Sequence, residues 1–106
     1  MKNILFVCSA NRLRSPTAEQ IFSQRQDIEV ASAGTSAGAI TPLDNELVEW
    51  AYIIFVMEKA HRNKLQKKFR KQLRARVICL DIPDEYEFMD PALVTLLERK
   101  VAPYLR

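Results

Sequence analysis

Residues 3–20, NILFVCSANRLRSPTAEQ, pass from an unbroken apolar run through a cysteine and a short polar loop to an Arg-Ser-Pro step. A run of this length bounded by polar residues reads as a buried strand, because it is too short for a buried helix. Ser15 followed by Pro16 predicts a helix start, with Ser15 as N-cap and the proline at the first helical position. A strand, a tight loop and a helix in that order open a βαβ arrangement, and this reading decides the fold.

The rest of the chain repeats the alternation. Tyr52–Met57 (YIIFVM) and Arg76–Leu80 (RVICL) are further apolar runs of strand length, while Ile28–Ser32 (IEVAS) alternates and reads as an edge strand. Thr41-Pro42 predicts a second helix start ahead of LDNELVEWA, where Trp50 reads as packing. Leu65, Phe69 and Leu73 form an apolar stripe along a cationic helix. Asp90-Pro91 opens a last helix with Leu93, Leu96, Leu97 and Val101 on one face. The order β-α-β-α-β-α-β-α predicts an α/β fold, a four-stranded parallel sheet with helices on both faces. Ligands of such sheets bind beyond the carboxyl ends of the strands, where Cys8 lies.

The chain has 106 residues, two of them glycine, and nearly half are hydrophobic. This suits one domain over residues 1–106 with a real core, and excludes disordered or collagenous classes. No apolar run approaches the roughly 20 residues that span a bilayer, so no membrane is expected. MKNILFVCS reads as a strand and not as a signal peptide. Cys8 and Cys79 are the only cysteines, too few for a stapled secreted scaffold, which points to a reducing cytoplasm. The net charge is +3, but residues 59–76 carry nine Lys and Arg side chains and no carboxylate. That block is a solvated helix face or a surface for acidic or phosphorylated partners, nucleic acid being the weaker option.

C-x5-R-S between a strand and a helix has a chemical meaning. Backbone N–H groups of the loop and the helix N-terminus can surround a tetrahedral oxyanion. Arg14 can clamp two of its oxygens with a planar fork. The same positive field favours the thiolate form of a cysteine, and a thiolate below a bound phosphate is placed for in-line attack. Ser15 could donate its hydroxyl to the sulfur. A nucleotide-binding glycine loop is excluded, since Gly34 and Gly38 lie elsewhere.

VCSANRLRSPTAE resembles the nucleophile loop of the low-molecular-weight protein tyrosine phosphatases, V-C-x-G-N-x-x-R-S-P-x-A-E. VASAGTS resembles that family's second-strand segment, YIIFVMEKAHRNKL its third strand and next helix, and IPDEY its acid loop. The resemblance implies a cysteine-dependent phosphomonoesterase acting through a cysteinyl-phosphate, without cofactor or metal. Cys8 would be the nucleophile and Arg14 the clamp, with Ser9, Ala10, Asn11, Arg12, Leu13 and Ser15 around the phosphate. Asn11 matches an asparagine that holds the loop in an unusual backbone conformation, in keeping with asparagine's tolerance of left-handed geometry. Ser32 matches a serine bracing it.

Three aspartates compete for the role of general acid. Asp90 is explained as a helix cap, and Asp81 sits at a strand end. Asp84 lies on the loop between them and matches the family's acid, with Tyr86 as the aromatic flanking the substrate. The chain departs from the pattern at several positions. Ala10 replaces a glycine, Leu13 a frequent second cysteine, and Glu85 the proline after the acid. Ser9 and Arg12 stand where apolar residues sandwich a phenyl ring, and a long family segment is missing between Ser36 and Thr41. His61, on the basic segment, reads as a solvated surface residue. Arsenate reduction by a thiol relay remains an alternative, as does a non-catalytic module binding phosphate or nucleic acid.

Overall fold

A computed structural model describes residues 2–105. Strands β1 (Lys2–Cys8), β2 (Ile28–Gly34), β3 (Ile53–Val56) and β4 (Arg76–Cys79) form one parallel sheet in the order β2-β1-β3-β4. Helices α1 (Arg14–Phe22), α2 (Asn45–Trp50), α3 (Lys59–Lys68) and α4 (Pro91–Val101) connect and follow them, and a 3-10 turn over Ala102–Tyr104 ends the described chain.

The central place of β1 follows from its composition. Ile4 to Val7 are fully buried, and a strand buried on both faces needs apolar side chains on both. Ile4, Phe6 and Cys8 face α1 and α4, in a core with Phe22, Phe55, Leu93 and Leu97. Leu5 and Val7 face α2 and α3, with Val48, Ile54, Val56 and Leu65. Phe6 stacks on Phe22 and Phe55 at centroid separations of 5.6 and 5.3 Å. Each such burial stabilises by about 1.5–3 kcal/mol, so these layers hold β1, and the loop beyond it, in place.

The chain leaves β1 for β2 on one side and reaches β3 on the other, which makes the carboxyl ends of β1 and β3 the switch point. Cys8 is the last residue of β1. Among the described residues, no helix is long and apolar enough to cross a membrane.

Three local expectations are corrected. Helix α1 starts at Arg14 with Leu13 as N-cap and no capping side chain, so Ser15 is not the cap. Its hydroxyl is engaged elsewhere, and Pro16 still falls in the first turn, where a missing N–H leaves no helical bond unmade. Thr41-Pro42 does not open α2. Gly34 exchanges bonds with Thr41 and Leu43, at 2.9 Å each, keeping this stretch extended against β2. Asp44 caps α2 instead, accepting the Leu47 N–H at 2.8 Å. The cationic helix ends at Lys68, although Leu65, Phe69 and Leu73 still share one core. Asp90 caps α4, as the sequence predicts.

Candidate active site

The loop after β1 is stitched to the segment after β2. The carbonyls of Cys8, Ser9 and Ala10 accept from the N–H groups of Thr35, Ser36 and Ile40 at 2.9, 3.0 and 3.1 Å. With its carbonyls tied on that side, the loop leaves the amides of residues 9–13 without a protein acceptor among the described residues. They and the unpaired first-turn amides of α1 form a nest suited to an oxyanion. A cleft of about 160 Å³ lies there, lined by Cys8, Ser9, Ala10, Arg12, Leu13, Arg14 and Asp84.

Gly34 makes the stitching possible. A Cβ on it would stand 2.4 Å from the Ser9 carbonyl oxygen and 2.6 Å from the Ala39 Cβ. Gly34→Ala should therefore push the loop outward and destabilise the fold by about 1–3 kcal/mol, as overpacking does. Urea unfolding checks this, and an unchanged midpoint would mean that the loop yields freely.

Behind the cleft runs a chain of buried polar groups. Asn11, at φ 57, adopts the left-handed conformation that asparagine tolerates. Its Nδ2 donates to Ser15 Oγ and to Ser32 Oγ, both at 2.9 Å. Ser32 donates to the Glu19 carboxylate. Ser15 Oγ lies 2.9 Å from Cys8 Sγ. Direction follows from donor counting: Ser15 accepts from Asn11, so its own proton is left for the sulfur. The carboxylate at one end orients the relay so that a donor reaches Cys8 at the other. Glu19 stood in the sequence stretch as a helix residue, and nothing there assigned it this bond.

Arg14 is almost wholly buried, at 3 % exposure, so its charge needs partners. Its Nη1 donates to Glu58 Oε2 at 2.5 Å and to the Ile82 carbonyl at 2.8 Å. With Nη1 anchored, the edge formed by Nε and Nη2 remains for a ligand. Asp84 Oδ1 stands 3.8 Å from Nε. Glu58 was not singled out in the sequence, although a carboxylate two residues past the end of a buried strand, at a switch point, was a usable signal.

The loop carrying Asp84 is fastened at both ends. Ile82 N–H donates to the Met57 carbonyl at 2.8 Å, and Met89 N–H to Thr17 Oγ1 at 2.9 Å. Of the three candidate aspartates only Asp84 lines the cleft. Asp81 occupies a left-handed turn at φ 54, and Asp90 is spent on its cap. Tyr86 is not among the lining residues; it is half-buried and packs against the core that holds Cys8, Phe22 and Leu93. Asn11, Ser15 and Ser32 support the loop from behind.

His61 is not the solvated residue the sequence suggested. It is 2 % exposed, and its Nε2 lies 2.8 Å from Ser9 Oγ. Its place is set by a capping box: Glu58 caps α3, and the Glu58 N–H donates to His61 Nδ1 at 3.1 Å. Burial and then the Arg14 charge push its pKa below the ordinary histidine value, against the pull of Glu58. The spacing of Glu58 and His61 was visible in the sequence; the contact with Ser9 was not.

Cys79 cannot serve Cys8 as a partner. The two project from opposite faces of the sheet, on strands separated by β3, roughly 9–10 Å apart at ordinary strand spacing. A disulfide needs Cα atoms within about 7 Å. Burial also raises the Cys79 thiol pKa, which weakens it as a nucleophile.

The chain is similar to known proteins both in part of its sequence and in its fold. The sequence model described as low molecular weight phosphotyrosine protein phosphatase matches residues 3–52. No curated protein sequence matches the chain. Among solved structures, the YwlE arginine phosphatase from Geobacillus stearothermophilus is 23% identical at TM-score 0.78, covering 99% of this chain and 93% of that one. The tyrosine phosphatase Wzb from Escherichia coli K30, in complex with phosphate, is 20% identical at 0.79, covering 97% and 95%. The low molecular weight protein tyrosine phosphatase SP-PTP from Streptococcus pyogenes is 18% identical at 0.83, covering 99% and 91%. These likenesses establish the fold across nearly the whole chain, and the sequence match, over just under half of it, includes the loop. The chain thus has the fold of the low-molecular-weight protein tyrosine phosphatases across nearly its whole length, and over residues 3–52 its sequence is similar to that family.

Proposed function

We propose that the chain hydrolyses phosphomonoesters through a cysteinyl-phosphate formed on Cys8. The observation that carries this reading is the buried relay ending at Cys8 Sγ, which aims the Ser15 hydroxyl at the sulfur on the floor of a cleft ringed by free amides. A hydroxyl aimed at the sulfur is placed to stabilise it as the leaving group when the P–S bond breaks. In the first step the thiolate attacks phosphorus, the ester P–O bond breaks, and Asp84 gives its proton to the leaving oxygen. Three equatorial phosphoryl oxygens would lie among the loop amides and the free edge of Arg14, where charge accumulates. In the second step the Asp84 carboxylate takes a proton from water as that water attacks phosphorus. The P–S bond then breaks, and Ser15 stabilises the departing thiolate.

Asp84 is tested through the leaving group. Asp84→Asn should slow phosphorylation of Cys8 by phenyl phosphate by about 10²–10⁴-fold, the usual worth of a general acid. The loss with p-nitrophenyl phosphate should be smaller, because nitrophenolate leaves without a proton. Asp90→Asn should stay close to the native rate, since asparagine caps a helix about as well. Single-turnover measurements decide. A leaving-group dependence that steepens in the Asp81 or Asp90 variant instead would move the acid there.

The substrate is a phosphorylated protein side chain or another phosphomonoester, and inorganic phosphate is the product. Exposed Lys64, Lys67, Lys68, Arg70 and Lys71 supply a field that favours acidic surroundings in that substrate. Nucleic acid is a weaker partner, since few aromatics interrupt the block. Two free thiols suit a reducing cytoplasm. The thiol-relay alternative finds no support in the position of Cys79.

A further inference from the structure

No aromatic side chain lines the cleft; beyond Cys8 and Arg14, its walls are Ser9, Arg12 and Asp84 with only Ala10 and Leu13 as apolar members. Ser9 is the one neutral hydroxyl among them, and it is the residue that His61 holds. His61 Nδ1 accepts the Glu58 N–H, so in the neutral imidazole the ring proton sits on Nε2. Nε2–H must then donate to Ser9 Oγ, 2.8 Å away. This orientation excludes His61 as a base for Ser9, because the nitrogen facing the hydroxyl carries a proton. It also fixes what Ser9 can offer. With one lone pair occupied by His61, its own O–H has no protein acceptor among the described residues, and Ser9 borders the cleft.

Protonating His61 would put a second N–H against the Glu58 N–H and break the capping bond. Arg14 and Lys64 face it and disfavour the cation, while Glu58 and Asp84 favour it; burial adds to the first pair, and the net direction is toward the neutral ring. The donor arrangement therefore persists across the neutral pH range.

We propose that Ser9, locked as a hydrogen-bond donor by His61, is the specificity-determining residue of this cleft and selects phosphoryl ligands bearing an oxygen acceptor beside the phosphorus. The inference rests on reading the cleft as a phosphoryl site, and it names the substrate class: esters whose leaving group presents a carbonyl or carboxylate oxygen near the ester bond, in preference to a plain phenyl ring. An aryl group there would leave the Ser9 proton unpaired, and an unpaired donor in a partly closed site is a penalty against that ligand.

The test compares two ligands of equal charge and similar size, 2-oxopropylphosphonate and propylphosphonate, by calorimetric binding to the full chain. Turnover of p-nitrophenyl phosphate is measured in parallel. The native protein should bind the keto compound about tenfold more tightly. Ser9→Ala should erase the difference, His61→Ala should reduce it severalfold, and His61→Gln, which restores an N–H near Ser9, should recover part of it. The nitrogen-15 shifts of His61 should identify a proton on Nε2. Equal affinities in the native protein, or a preference that survives Ser9→Ala, would overturn the inference even if p-nitrophenyl phosphate is hydrolysed. A keto preference that follows Ser9 without any turnover would uphold it while removing the phosphatase reading. Failure to bind either phosphonate would overturn both.

Discussion

Cys8→Ser should lose hydrolysis of p-nitrophenyl phosphate by roughly 10⁴-fold or more, the scale on which removing a nucleophile acts. The substitution swaps sulfur for oxygen and leaves every other part of the loop intact. Asn11 still donates to Ser15 and Ser32, the carbonyls of residues 8–10 keep their bonds to Thr35, Ser36 and Ile40, and Arg14 keeps its anchors. A serine hydroxyl is much harder to ionise than a thiol, so the donor that suits a thiolate has no anion to stabilise. Inorganic phosphate should bind within about threefold of the native affinity, because Coulombic and hydrogen-bonding contacts come from the amides and Arg14. Calorimetry with phosphate and steady-state kinetics on one preparation separate the two roles. Activity above about a hundredth of the native rate would end the covalent mechanism.

Arg14→Lys should lower kcat/KM by about 10²–10³-fold, comparable to deleting a donor that faces transition-state charge. Charge is retained, so the loss would report geometry. Arginine meets two demands at once here: one nitrogen holds Glu58 and the Ile82 carbonyl while the other edge stays free for phosphoryl oxygens. A lysine ammonium is a single point and cannot anchor the acid loop and fork two oxygens together. Since Ile82 lies two residues before Asp84, the variant should also loosen the acid loop, and the loss should be larger for poor leaving groups. Near-native kinetics would show that the anchor alone matters.

The order of strands and helices, the parallel sheet and the central buried strand were legible because they depend on local pattern. An apolar run of four or five residues between polar loops has few alternatives to a strand, and a strand buried on both faces must be apolar on both. The position of Cys8 at the carboxyl end of β1, the left-handed Asn11 and the cap at Asp90 follow from the same short-range chemistry. Helix starts at Ser15 and Thr41 were misplaced for a tertiary reason: Ser15 is drawn to Cys8 and Asn11, and Pro42 to the edge of β2. Partners from distant stretches outcompete the local cap.

What only the tertiary structure decided are contacts across the switch point. Glu58 lies 44 residues from the Arg14 it anchors, and His61 lies 52 from the Ser9 it orients. No period or spacing encodes such pairs, because they arise where β1 and β3 end side by side and bring two separate loops together. The pairing of β1 with β2 closes the relay from Glu19 through Ser32, Asn11 and Ser15 to Cys8, and it sets Gly34 against the Ser9 carbonyl. The sequence determined which elements form and which residue types stand at their ends. Packing of the sheet determined which of those ends meet, and therefore that a histidine read as solvent-facing is buried behind the cleft wall, against Ser9.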